Sequence, residues 1–385
     1  MNPLPAEIIH IGVNRWDSMI QREQHLIKGL SQYYRILFID PPLSFLTIFL
    51  ERMGGKKRSF RSQFYRVNDR LAVYTPPAFP PFGQKISWVH RWNTQLLVSR
   101  MRSLIREHSF ENYVLCISWP LWAGILHELN PQWSYYDCSD EYLTYPGLRA
   151  NRERLRQSEE ELLRSVTLVL CSSQRLKEAK SGQSSHCFLI PNGVDLSSLE
   201  IRRGAGEIPS DLKAVRKPIL GYLGTIGEWL DFDTLGRLAR ARPDWSIVMI
   251  GPLASRRLAS LVTGIPNLHW LGEKGHDELP GYLGSFDVCL IPFRVNEFTE
   301  KIYPTKLHQY LGMGKPVVSA RLPELKSFSP WVMFYDSVEE IEKVIERSLR
   351  EDSEDKVLER KRIAGENTWD RRVKSIVEIF EAHFT

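Results

Sequence analysis

Between Cys289 and Ser319 the chain reads CLIPFRVNEFTEKIYPTKLHQYLGMGKPVVS, and this stretch holds the residues best suited to an anionic ligand. A short apolar run, Val288 to Pro292, ends in a polar loop carrying Arg294, Asn296, Glu297 and Thr299. Pro304-Thr305 then opens a helix that runs to Met313. Thr305 reads as its N-cap, and the unpaired N–H groups of the first turn, together with Lys306, make a positive pocket for phosphate. Gly314 stops the helix, and Lys315-Pro316 leads into the strand Val317 to Ser319. By itself the segment also reads as an ordinary strand–loop–helix–strand unit with a solvated polar loop.

A second group lies in Tyr135-Tyr136-Asp137-Cys138-Ser139-Asp140-Glu141-Tyr142, three carboxylates at the end of an expected strand. In open parallel sheets such ends face the ligand crevice. Asp140 is the preferred hydroxyl-binding or proton-accepting group, and it also reads as a cap for the segment that follows. The loop Asn14-Arg15-Trp16-Asp17-Ser18 joins the first strand to a helix whose early turns present Gln21, Arg22 and His25. Trp16 reads either as an apolar platform for a sugar ring or as a buried anchor. Gly221-Tyr222-Leu223-Gly224-Thr225-Ile226-Gly227 is a strand running into a glycine-bearing loop, where the backbone can approach a phosphate closely. Its spacing is neither GxGxxG nor GxxxxGK[ST], which excludes a dinucleotide fingerprint and a P-loop.

Positioning these groups requires alternating strands and helices. Seven expected strands fall at 8–13, 35–40, 71–75, 113–118, 133–137, 167–172 and 186–190, and six more at 219–223, 246–250, 268–271, 288–292, 316–319 and 332–335. Helical stretches interleave with both runs, which is the signature of parallel α/β sheets. The 385 residues, 43% hydrophobic and 25% charged, suit two folded domains. No run approaches eighteen apolar residues, and the N-terminus lacks the pattern of a secretory signal. Five widely spaced cysteines read as buried thiols of a reducing cytoplasm, and no Cys or His spacing suits a metal.

Residues 1–200 hold 24 Lys+Arg against 19 Asp+Glu, while the rest of the chain is balanced. Much of the excess comes from Arg52, Lys56, Lys57, Arg58, Arg61, Arg66 and Arg70, opposed in that interval only by Asp69. Leu43 to Leu50, directly before them, is apolar. Residues 43–70 therefore read either as an anchor on anionic membranes or as a core helix followed by a mobile basic loop. No nucleic-acid-binding motif accompanies the cluster, so no nucleic-acid partner is expected.

Pro304, Lys306, Leu307, Tyr310, Gly314, Lys315, Pro316, Val317 and Val318 resemble the P-x-K-L-x-E-Y-x-x-x-G-K-P-V-V segment of nucleotide-sugar glycosyltransferases of the GT-B fold, family 4 type. Ile190 to Asp195 (IPNGVD) and Ile250-Gly251-Pro252 are similar to segments of the same family, in the same order. The G-x-x-x-E-W-x-D variant at 224–231 and the I-P-F-R loop look like the bacterial subgroup of teichuronic acid biosynthesis glycosyltransferases. The family's usual Glu is replaced by Gln309, which accepts hydrogen bonds without charge assistance. Lys301 stands where a partner Glu is usual.

The resemblance implies an α/β fold of two Rossmann-like domains facing a cleft, with parallel sheets flanked by helices. Residues 1–200 would form the acceptor-side domain, 201–217 the linker, 218–365 the nucleotide-sugar domain, and 366–385 a helix returning to the first. It implies transfer of a sugar from a nucleoside diphosphate-sugar to a glycan or lipid-linked hydroxyl, with retention and without metal or cofactor. Lys306, Arg294 and Asp140 would be catalytic. Gly12, Gly224, Thr225, Gly251, Asn296, Glu297, Thr299, Pro304, Thr305 and Gln309 would hold the donor, and Trp16, Gln21 and Arg22 the acceptor side. A nucleotide-sugar epimerase of the same fold and a non-catalytic nucleotide- or glycan-binding protein are the alternatives. The expected location is the cytoplasm, peripheral on the inner face of the plasma membrane.

Overall fold

A computed structural model describes residues 7–384 apart from 56, 185, 200–207, 255–256, 258 and 261–263. Lys56 of the basic cluster, residues 201–207 of the proposed linker, and residues 255–256, 258 and 261–263 lie outside the described residues. The chain forms two units, one of residues 1–191 with 372–385 and the other of residues 192–371.

The first unit is built on strands β1 (Glu7–Ile11), β2 (Arg35–Ile39), β3 (Gln63–Arg66), β4 (Leu71–Thr75), β5 (Tyr113–Ile117), β6 (Trp133–Cys138), β7 (Leu168–Cys171) and β8 (Cys187–Leu189). Their spatial order is β3-β4-β2-β1-β5-β6-β7-β8, parallel throughout except for the antiparallel β3–β4 pair. β1, β5 and β6 are near-continuous apolar runs and almost wholly buried, as strands covered on both faces by helices must be. Strand order reverses between β1 and β5, so the carboxyl ends of these strands form the ligand-facing edge.

β3 was not legible in the sequence. Its four residues are all exposed, and it exists because Asn68 closes a turn, its Oδ1 accepting from the N–H groups of Arg70 and Leu71. The basic segment is therefore partly a sheet edge and not simply a loop. The helix Phe45–Met53 buries only Ile48, so the core-helix reading of this apolar stretch is corrected.

The second unit orders β9 (Ile219–Leu223), β10 (Ser246–Ile250), β11 (Leu268–Trp270), β12 (Val288–Ile291), β13 (Val317–Ala320) and β14 (Val332–Tyr335) as β11-β10-β9-β12-β13-β14, all parallel. Here the order reverses between β9 and β12, placing the ends of those two strands at the switch point. The unit begins at Asn192 because the second half of IPNGVD bonds into it. Asn192 Nδ2 donates to the Tyr303 carbonyl, Val194 N to Asn367 O, and Trp369 N back to Val194 O. In the described part of the expected linker, Asp211 accepts from Tyr282 and pairs with Lys274, so that stretch packs on this unit. A helix at Glu354–Gly365 was also not read from the sequence.

The last helix, Trp369–Phe384, crosses the division at Arg371/Arg372. Its stripe of Val373, Ile376, Val377 and Phe380 is buried in the first unit. There Phe380 meets Tyr34, Trp133 and Tyr135, and Val373 fills the space above Gly29.

Candidate functional site

The helix Lys306–Gly312 follows β12 and lies beside the end of β9. Tyr310, fully buried, fixes this placement because its hydroxyl oxygen accepts the Leu223 N–H at 2.9 Å. One turn earlier on the same helix face, Lys306 projects over Gly224. A Cβ on Gly224 would lie 3.1 Å from the lysine Cε and 3.4 Å from its Nζ. Gly224 and Gly251 both have φ of 137°, and a Cβ on Gly251 would stand 2.2 Å from the Gly224 carbonyl oxygen, so the two strand ends close together only as glycines.

The Lys306 ammonium faces the rings of Tyr222 and Phe293, at 5.2 and 5.1 Å, and makes no ion pair among the described residues. Burial brings its pKa down to about 8. Lys306 is half-buried, and a partly desolvated cation with no acidic partner among the described residues is electrostatically unsatisfied, so an anion entering beside Gly224 and Thr225 would satisfy it.

Other expected donor residues are differently employed. Thr305 does not cap the helix. Its backbone is already helical (φ −54°, ψ −34°), whereas a capping residue needs an extended backbone to turn its oxygen onto the following N–H groups. The Pro304 carbonyl accepts from Leu307 N. Arg294 pairs with Asp233 at 2.8 Å and more loosely with Asp231, which itself caps the helix Phe232–Ala241. Its charge is thus offset and half-exposed.

Asn296 and Thr299 fold their own loop. Asn296 Oδ1 accepts from Phe298 N and Thr299 N, and the Thr299 hydroxyl donates to the Arg294 carbonyl. Glu297 is exposed, and Gln309 is half-buried three residues after Lys306.

In the first unit the three carboxylates at the end of β6 and just beyond it separate into distinct roles. Asp137 is buried against Arg22, whose Nη2 lies 2.8 Å from Oδ1 and whose Nη1 donates to the Ile190 carbonyl. Arg22 therefore ties the first helix to β6 and is not presented to an acceptor. Glu141 shares the buried Lys180 with Glu159, and Tyr136 donates to Glu159. Asp140 makes no side-chain hydrogen bond or ion pair among the described residues, and it caps nothing. Burial pushes its pKa up to about 7, with Arg22 opposing and the charges of Asp137 and Glu141 adding to the rise.

The loop after β1 is organised by Glu23, which sequence reasoning missed. Its carboxylate accepts from Val13 N (2.8 Å), Asn14 N (3.0 Å) and His10 Nε2 (3.0 Å). Nothing in residue spacing distinguishes Glu23 from a solvated helix residue. Gly12 is required because a Cβ there would stand 2.4 Å from the Phe38 ring. Trp16 packs edge-on against that ring and donates its backbone N–H to Asp40 Oδ1, while Gln21 is exposed at the helix start. Among the described residues no three His, Cys, Asp or Glu side chains converge as metal ligands.

Two units of parallel sheet flanked by helices, with these strand orders, define the GT-B class of fold. Residues 217–349 match the family of glycosyl transferases group 1. TuaH of Bacillus subtilis, whose name assigns it to teichuronic acid biosynthesis as a glycosyltransferase, is 28% identical over 214 residues. The match spans 52% of this chain and about half of that protein, 53%.

Among solved structures, sucrose-phosphate synthase from Thermosynechococcus elongatus superposes with a TM-score of 0.76, at 14% identity over 98% of this chain and 99% of that one. Anabaena Alr3699/HepE in complex with UDP-glucose gives 0.69, at 15% identity over 98% and 99%. These likenesses establish the fold.

Proposed function

We propose that the protein transfers a hexose-type sugar from a nucleoside diphosphate-sugar to a hydroxyl of a surface glycan or lipid-linked acceptor, at the cytoplasmic face of the membrane. The observation that carries this reading is the half-buried Lys306 over Gly224, without an ion pair among the described residues and inside the segment matching group 1 glycosyl transferases. TuaH and the UDP-glucose complex of HepE support the donor class.

As the bond from sugar C1 to the diphosphate oxygen breaks, negative charge collects on the departing phosphate. The Lys306 ammonium stabilises that charge more in the transition state than in the ground state. In a retaining course the acceptor oxygen bonds to C1 on the face the phosphate leaves, and its proton passes to the leaving phosphate oxygen. Asp140 then serves to hold the acceptor hydroxyl, and protein cations take the place of a metal.

The test is a thermal-shift panel of nucleoside diphosphates, since a preferred ligand stabilises the native state in proportion to its affinity, followed by donor turnover with and without glycan or lipid-linked acceptors. Acceptor-dependent release of nucleotide supports transfer. Conversion of the donor sugar without acceptor would instead make the protein an epimerase, and stabilisation by nucleotide with no turnover would make it a binding protein.

A further inference from the structure

The helix Phe45–Met53 is a helix with its apolar side outward. Ser44 caps it by accepting from Thr47 N, and Ile48 alone turns inward, while Phe49, Leu50 and Met53 are 56%, 58% and 74% exposed. Such a surface is costly in water unless something covers it.

A second exposed apolar group is joined to it by backbone. Phe45 N donates to Phe79 O, and Phe79 N to Leu43 O, so the helix start lies against Phe79. Three residues on, within about 11 Å along the chain, comes Phe82, and then the helix Ser87–Glu107, which presents Trp88 and Trp92 at 62% and 52% exposure. Trp88 and Trp92 are four residues apart and share one helix face. Indole rings exposed in this way are the side chains that settle at membrane–water interfaces.

Charge decides what covers the surface. From residue 43 to residue 96 the chain carries nine Lys and Arg and only two acidic residues, Glu51 and Asp69. At the C-terminal end of the exposed helix an open hollow of about 460 Å³ is lined by Arg52, Gly55, Lys57, Arg58, Ser59 and Gln63. Arg58 is held in its wall by Glu51 at 2.9 Å and Asp17 at 2.6 Å. Arg52 and Lys57 have no carboxylate partner among the described residues, and Arg52 lies only over the Phe60 ring. Cations flanking a hollow of headgroup size, next to a protruding row of Phe, Leu and Met, match the phosphate and acyl boundary of a phospholipid.

We infer that this face docks on an anionic phospholipid bilayer, with Phe49, Leu50 and Met53 entering the acyl boundary, Trp88 and Trp92 at the headgroup level, and a lipid phosphate in the hollow between Arg52 and Lys57. Attachment combines apolar insertion with charge and weakens with salt. The inference rests on the first unit alone and stands whether or not the protein is a transferase.

The experiment is co-sedimentation of the full chain with vesicles of phosphatidylcholine alone or mixed with phosphatidylglycerol, at low and high salt. Wild type should bind the mixed vesicles and release in high salt. Arg52→Ser with Lys57→Ser should lower the partition coefficient on mixed vesicles by about tenfold or more, from the worth of each cation near an anionic surface. Phe49→Ser with Leu50→Ser should lower it on both compositions and leave the salt dependence in place. All these positions are solvent-exposed, so unchanged melting temperatures will show that the fold persists. Equal binding by wild type and variants, or no vesicle binding by wild type, would overturn the inference. So would lipid-free self-association that the same substitutions abolish, which would assign the face to a second copy of the chain.

Discussion

The Tyr310 hydroxyl accepts the Leu223 N–H at 2.9 Å, and this single bond sets where the Lys306 ammonium stands. It ties the helix after β12 to the end of β9, one residue before Gly224, so the lysine one turn away is held over the glycine. Tyr310→Phe removes the acceptor and leaves a buried N–H unpaired, which should cost about 1 to 3 kcal/mol of stability. Turnover should fall as well, since the helix is free to shift. Chemical denaturation beside steady-state kinetics checks both, and an unchanged denaturation midpoint would contradict the role given to the bond.

Removing the lysine separates catalysis from folding. Lys306→Ala should reduce turnover by roughly 2 to 4 kcal/mol of transition-state stabilisation. It should leave the melting temperature equal or higher, because a partly buried charge without an ion pair among the described residues is lost. Arg294→Ala should be milder, since its guanidinium already pairs with Asp233. Near-normal kcat in Lys306→Ala would remove the residue from the mechanism.

Nucleotide affinity should depend on pH through the same group. The folded lysine has a pKa lowered to about 8, so it is charged below that pH and loses its charge above it. An anionic ligand prefers the protonated form, so the affinity for a nucleoside diphosphate should be flat below about pH 8 and fall above it. Titration calorimetry on wild type and Lys306→Met should show the fall in the first and its loss in the second.

Asp140 carries the opposite sign. Its folded pKa is raised to about 7, above that of the unfolded carboxyl, so its proton favours the native state at acid pH. That contribution is lost as pH rises from the unfolded value through about 7. Asp140→Asn should therefore gain stability relative to wild type in urea melts at pH 8 and not at acid pH. If Asp140 orients the acceptor as a carboxylate, the rise of kcat/KM with pH across about 7 should also disappear in the variant.

Activity should survive chelation. With the diphosphate charge met by Lys306, treatment with EDTA should leave turnover within about twofold, as expected when a protein cation supplies the electrostatic stabilisation. Complete loss restored by Mg²⁺ would show that a metal carries that charge.

Most strands were legible from residues alone because parallel strands covered on both faces must be apolar runs. β1, β5, β9 and β12 could be read in this way without any partner in view. β3 escaped because an exposed edge strand carries no apolar signature, and its existence depends on β4 and on the Asn68 turn. The helix Glu354–Gly365 escaped as well.

At the site, residue type and order along the chain singled out Lys306, Gly224 and Asp140, since a cation after a strand, a glycine at a strand end and a carboxylate at another are local features, whereas Gly251 came from the family resemblance of Ile250-Gly251-Pro252. Partnership was not local. Only the folded chain brings Asp233 to Arg294, Asp137 to Arg22 and Lys180 to Glu141, which leaves Lys306 and Asp140 without an ion pair among the described residues. Thr305 has the right type for a cap but a helical backbone, and Glu23 acquires its place by gathering Val13, Asn14 and His10. Sequence determined which groups the chain possesses and on which elements they ride. Tertiary structure decided which of their charges are already satisfied, because ion pairing depends on distances between residues that lie far apart along the chain.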